Sequence, residues 1–386
     1  MNLRIEKFNL RHSTDNQASL AREWDKLSES LPQQSPMTSY SWIDPYCEVF
    51  LANGQEREAY LVYDGEKLVG VFPVFVTRGH INGRILQTPF NEHTIAGDIV
   101  LAEGYERKAF ECFTEFIKKA GGGVRYVMIR GNRGDSRTLK GLARHTGVSF
   151  VSKHEGYGDY LSIRGSMEDY FSSLSKNFRG NLKKAERKLL LCPDTRFMFL
   201  SSDQAGDTFF KEFLKLEASG WKGRNGTAIL QNDGLITFYR VLTTNLAARG
   251  WLEWHFLKTG KKTIAGHLAC RMNRTLTLLK IAYDEEYRQC TPGNHLFLKT
   301  VERAYERKDT DEINCLTDVE WHKNWNMSKR EYSTVYIYPN TPIPLLFYYF
   351  PKKAYVLLRN VPWLRSLVRK LRQSLRLSGT HEGPNR

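Results

Sequence analysis

The chain is poor in cysteine. Its six (Cys47, Cys112, Cys192, Cys270, Cys290 and Cys315) form no C-x-x-C pair and no close cluster with histidine. That spacing excludes a zinc site, so no metal is expected, and in 386 residues it excludes a disulfide framework. Most of the six stand beside apolar or aromatic residues, as small buried hydrophobes do. No uninterrupted apolar run reaches the ~18 residues a spanning helix needs. The segment from Met1 to Lys7 lacks the apolar core of a signal peptide. A cytoplasmic protein is expected, or one peripheral on the inner face of the plasma membrane. No recognised nucleic-acid motif appears.

Acidic residues are also in short supply, 42 against 57 Lys and Arg, for a net charge of +15. The imbalance is local. Residues 341–386 hold nine basic side chains and one acid, so +8 of the +15 lies in the tail and +7 in the first 340 residues.

Periodicity predicts an α/β (α+β) chain with two units and a tail. The first, 1–157, has helical spacing at 16–31 and 106–120 and strand-like runs at 59–63, 68–76 and 126–129. The second, 158–335, has helical patterns at 166–174, 178–191, 203–219, 234–248 and 296–307. Its strands fall at 251–258, 263–271, 275–283 and 312–316. A strand–turn–strand pattern around Asp64-Gly65 returns around Thr259-Gly260 at the same place in the second unit. This echo predicts either an internal duplication or two ordinary hairpins.

The loop from Tyr283 to Leu296 turns from a strand into a helix through Pro292-Gly293. A helix start with free N–H groups, the Arg288 guanidinium and Asn294 as a cap would suit a pyrophosphate or phosphopantetheine. The same residues also describe a plain strand-to-helix turn. Arg179, Lys183, Lys184 and Arg187 form a basic helical face, read either as a phosphate-binding surface or as a solvated one. His267 and His295 can titrate, or serve as packed core histidines.

Four segments occur in order: Glu217-Ala218-Ser219-Gly220-Trp221-Lys222, then Ile264-Ala265-Gly266-His267-Leu268, then Asp284 to Leu296, then Asp318-Val319-Glu320-Trp321-His322-Lys323-Asn324-Trp325. This order resembles the CelD-like acyltransferases of cellulose and exopolysaccharide biosynthesis, within the GNAT superfamily and related to the FemABX transferases. The resemblance is closest over 160–330. Lys67-Leu68-Val69-Gly70-Val71-Phe72-Pro73 and Ser35-Pro36…Trp42 extend it more loosely over the first unit.

The resemblance implies tandem GNAT-like domains, each a mixed, twisted sheet flanked by helices. It implies N-acyl transfer from an acyl thioester to an amine, of a nucleotide- or lipid-linked sugar in the cell envelope. Glu217 and Asp284 become candidate bases, and Lys323 a candidate for the oxyanion. Arg288, Pro292, Gly293 and Asn294 would lie at the donor's pyrophosphate. Arg179, Lys183, Trp221, Lys222 and Asp318 would hold the acceptor. The loop has Gly293 alone where GNAT loops carry a glycine pair, so acyl-CoA (acetyl-CoA) and an acyl carrier protein both stand as donors. Glu217 can also be read as a salt-bridge partner of Lys222 or Arg224, and Lys323 as a surface lysine. A FemABX-like transferase using aminoacyl-tRNA and a degenerate scaffold at the membrane are the alternatives.

In the tail, 336–386, an aromatic run at 344–350 precedes Leu364, Leu367, Val368, Leu371 and Leu375 on one helical face and Arg365, Arg369, Arg372 and Arg376 on another. This pattern fits an interfacial helix on an anionic membrane, or a helix packed on the protein's own domains.

Overall fold

The repeated hairpin marks a repeat of the whole architecture. A computed structural model of the chain describes residues 3–359 apart from 11–16, 33, 53, 79–82, 120–122, 144–146 and 203–205. The expected helix over 364–375 lies outside these residues. The first half runs β1 (Leu3–Asn9), α1 (Gln17–Ser30), α2 (Tyr40–Phe50), β2 (Arg57–Asp64), β3 (Lys67–Arg78), β4 (Arg84–Gln87), β5 (Val100–Leu101), α3 (Glu106–Lys119), β6 (Val124–Arg133), α4 (Arg137–Ala143) and β7 (Val148–Ser162). Two helices follow, α5 (Met167–Ser173) and α6 (Lys176–Leu189). The second half then runs β8 (Arg196–Ser201), α7 (Asp207–Ser219), α8 (Trp221–Arg224), α9 (Asp233–Ala248), β9 (Leu252–Thr259), β10 (Lys262–Met272), β11 (Thr275–Tyr283), α10 (Pro292–Arg307), β12 (Glu312–Asn314) and β13 (Ser328–Pro339). A strand, two long helices, three antiparallel strands, a helix and a further strand recur in the same order.

Among the described residues thirteen strands form one sheet. Its order is β1-β2-β3-β4-β6-β13-β7-β12-β11-β10-β9-β8, with β5 on β3. Read inward from the two edges, the halves match. The outer strands are antiparallel, while β4 with β6 and β11 with β12 are parallel. At the centre the halves exchange their last strands: β7 pairs with β12, and β13 pairs with β6. β7 and β13 then pair with each other from Ser328↔Tyr160 to Pro339↔Val148. The expected boundaries at 157/158 and 335/336 therefore fall inside the two shared strands.

The helices that match by position also pack together. α2 and α9 meet through Trp42 and Phe238, whose rings lie edge-on at 6.1 Å. Pro45 lies inside α2 and has no N–H to offer the Ser41 carbonyl four residues back. Asn245 Nδ2 of α9 donates to that carbonyl instead, at 3.1 Å. The second half thus satisfies a hydrogen bond that the first half's own sequence forfeits. Both hairpins turn on a glycine in the left-handed region, Gly65 at φ +60° and Gly260 at φ +52°.

Candidate functional site

β11 and β12 pair only from Thr275↔Glu312 to Thr277↔Asn314. Beyond that they part, and a cleft of about 450 Å³ opens between them. One wall is Leu278 to Tyr283 of β11; the other is Cys315, Leu316, Thr317, Val319, Trp321 and His322. Glu217, Gly220, Trp221 and Lys222 close one end, and Met37, Glu92, His93 and Ile95 enter from the first half. The register of β11 on β10 slips here, from Leu268↔Lys280 to Ala269↔Leu278, so Leu279 is an extra residue. Such a bulge re-aims the side chain beside it.

That side chain is Lys280, which resemblance and pattern both passed over. Its ammonium lies 3.2 Å from His93 Nδ1, and Tyr239 Oη lies 3.0 Å from the same nitrogen. The Lys280 ammonium can only donate, so Nδ1 is read as the acceptor and the ring proton is assigned to Nε2. Burial, then the charge of Lys222, lowers Lys280 to about 8, against the opposing pull of Glu217 and Glu92. Burial, then the charges of Lys280 and Lys222, lowers His93 to about 4, so its ring is neutral. Burial pushes Tyr239 well above its ordinary value.

Glu217 ends α7, buried, and accepts from Lys222 Nζ at 2.8 Å and from Ile229 N–H at 2.9 Å. The chain folds back here because Gly223 has no side chain: a Cβ would fall 1.8 Å from the Ala218 carbonyl oxygen. Trp221 is exposed at the cleft rim, and its backbone N–H donates to Glu285 at 2.9 Å. The structure thus brings Glu217, Trp221 and Lys222 together in the cleft wall.

Other expected residues lie elsewhere. Asp284 caps a 3-10 turn, Glu285–Cys290, by accepting from Glu286 N–H, and pairs with Lys262 at 2.7 Å in the neighbouring hollow. Lys323 points to solvent and pairs with Glu320 at 2.6 Å; its neighbour His322 forms the wall. His322 is held by Asp159 at 2.8 Å, and burial outweighs that partner to lower its pKa. Asp318 is tied to Lys329, whose hydrogen bond lowers its carboxyl. His267 is buried against His255 and Thr300, within the sheet and helix packing.

The start of α10 closes on the cleft through Tyr283, whose ring lies 3.8 Å from where a Gly293 Cβ would be. Asn294 is not the cap; Thr291 is, in the left-handed region at φ 41°, and it makes no side-chain cap hydrogen bond. Pro292 takes the first helical position, which starts the helix four residues ahead of the expected 296. Thr291 Oγ1 and His295 Nε2, one turn apart, are buried without a hydrogen-bond partner. Arg288 is exposed on the preceding turn. α6 runs beside this point, with Leu189 packed by Cys290 and Leu296. Its Lys183, Lys184 and Arg187 are exposed, and Arg179 is half-buried.

Residues 176–324, from α6 to the far wall of the cleft, match the acetyltransferase (GNAT) domain family. No curated protein matches the chain by sequence. Among solved structures, FemX aligns with 85% of this chain and 96% of its own at a TM-score of 0.58 and 12% identity. A conserved protein of unknown function from Bacteroides thetaiotaomicron VPI-5482 aligns with 82% of this chain and 97% of its own, at 0.51 and 15%. At such identities the likeness is one of fold. Together with the mirrored strand order, these matches describe a tandem GNAT-like α/β fold, and residues 176–324 of its second half are what is similar to the acetyltransferase (GNAT) domain family.

Proposed function

We propose that the protein is an N-acyltransferase that moves an acyl group from an acyl thioester to an amine in the β11–β12 cleft. The parting of β11 from β12 carries this reading. It leaves the backbone of Leu278 to Tyr283 without a strand partner on that side, next to an uncapped helix start. An extended amide-bearing arm suits the strand edge, and a pyrophosphate suits the helix N-terminus with the unpartnered Thr291 hydroxyl. These residues fit acyl-CoA. When bound, an acyl thioester would supply the activated carbonyl: the amine's N–C bond would form as the C–S bond breaks, the sulfur leaving as a thiolate that takes up the second proton shed by the nitrogen.

The chain's own part is acid–base work and positioning. Lys280, neutral at a fraction that grows toward pH about 8, takes the proton from the acceptor's ammonium. His93 and Tyr239 fix the position of its nitrogen. Glu217 holds Lys222 at the rim, where its ammonium meets an anionic part of either substrate. The finer reading, an amino sugar on a nucleotide or lipid diphosphate, is supported by the resemblance to CelD-like enzymes and by the basic face of α6.

The test is titration with acetyl-CoA and longer acyl-CoAs, read by thermal shift, followed by mass spectrometry of amino-sugar acceptors. A saturable shift and an acylated amine are expected. No shift with any thioester, together with release of aminoacyl groups from charged tRNA, would replace this reading with the FemABX-like one.

A further inference from the structure

After β13 the chain folds as a short helix, Pro342–Pro344, a π-helical turn, Leu345–Tyr349, and a last helix, Phe350–Arg359. One side of this stretch lies on the sheet. Tyr348 meets Tyr126 at 5.7 Å, Tyr349 meets Tyr338 at 5.5 Å, and the Lys352 ammonium sits 4.0 Å over the Tyr336 ring. The other side is apolar too. Ile343, Leu346, Phe347, Phe350 and Leu357 recur at helical spacing and are 40% to 60% exposed. A helix that is apolar on two sides calls for a second cover.

We propose that this outer face docks on an anionic lipid surface. Charge decides among the possible covers. Lys353 is exposed on the same helix, and residues 359–386 add seven Lys or Arg against one Glu. A second copy of the chain would bring like charge against like. An anionic bilayer offers both an apolar layer for the five side chains and a counter-charge for the basic ones. No helix among the described residues is long and apolar enough to cross a membrane, so the contact is with the surface. The inference is independent of the acyl-transfer reading and is tested without an activity assay.

The experiment is co-sedimentation of the full chain with phosphatidylcholine vesicles, with and without about a quarter phosphatidylglycerol. Binding to the anionic vesicles alone is expected, weakening as salt is raised. The triple variant Leu346→Asp, Phe347→Asp, Phe350→Asp replaces exposed side chains, so its unfolding midpoint should hold. Its partition should fall roughly tenfold or more. A Phe347→Trp chain should show extra quenching by brominated phosphatidylglycerol relative to the wild type. The proposal is overturned if the full chain ignores anionic vesicles, if the triple variant binds as well, or if the new tryptophan is not quenched. Lipid-free dimerisation abolished by the triple variant would also overturn it, in favour of a second copy.

Discussion

Lys280→Met tests whether the cleft is built around a penalised charge. An ordinary lysine titrates at 10.5, and Lys280 is lowered to about 8, mainly by burial. At 1.36 kcal/mol per pH unit, that gap is worth about 3 kcal/mol. Because the folded chain binds this proton less tightly than the unfolded chain, the charge destabilises the fold. The penalty is full below pH about 8, shrinks as pH rises from about 8 to 10.5, and vanishes above 10.5. Methionine keeps the stem and removes the charge. The variant should therefore be more stable than wild type by about 3 kcal/mol near pH ~7, with the gain fading toward pH ~10.5. Denaturant unfolding across this range measures it. Acyl transfer should fall by roughly 10²–10⁴-fold, and the wild-type rate should climb toward pH ~8 as the lysine loses its proton. A variant less stable near neutrality, or a gain indifferent to pH, would refute the energetic argument. A fully active variant would dismiss the lysine as proton acceptor.

Three further outcomes follow from the same geometry. Lys222→Met leaves Glu217 buried with only the Ile229 N–H. A loss of about 3 kcal/mol is expected near neutral pH, read by denaturant unfolding. Gly223→Ala forces the Ala218 carbonyl to move, so thermal unfolding should show a loss of about 2 kcal/mol or more. Arg330 grips Glu312 through two hydrogen bonds of 2.8 and 2.7 Å, both residues buried at the exchanged strands. Glu312→Gln should cost about 3 kcal/mol, and adding Arg330→Met should recover part of it.

What could be read from the sequence was local. The Asp64-Gly65 and Thr259-Gly260 turns marked equivalent hairpins because a glycine turn between two strand-like runs is a short-range signal. The helical periods of α1, α3 and α9 also stood out, as one buried face each. α2 did not, because Pro45 interrupts its pattern and the repair comes from Asn245, some 200 residues away. β13 did not either: its partners are 160 or more residues distant, and a strand that opens on the charged run Lys329-Arg330-Glu331 gives little period. Glu217 with Lys222 was legible as a pair five residues apart. Lys280 left one usable trace, a single charge inside the apolar run Thr275–Tyr283. What turns that charge into a site is the bulge at Leu279, and bulges leave no mark in composition.

The difference between the matched halves explains where the cleft is and why there are two halves. β4 and β11 hold the same place in the sheet, each parallel to the strand after the next helix. β11 runs on to Tyr283 and parts from its neighbour. β4 stops at Gln87, and the loop after it carries Glu92, His93 and Ile95 into the other half's cleft. The same strand position therefore makes the wall in one copy and releases the loop that completes it in the other. His93 is held at both ends of this arrangement, stacked on Phe50 of α2 at 5.9 Å and bonded to Tyr239 of α9. Since α2 packs on α9, and the last strand of each half is seated in the other, the loop cannot shift without disturbing the packing that joins the halves. A duplicated fold with one degenerate copy would have no need of that connection. Here the first copy supplies the neutral imidazole that positions Lys280, which makes both copies parts of one site.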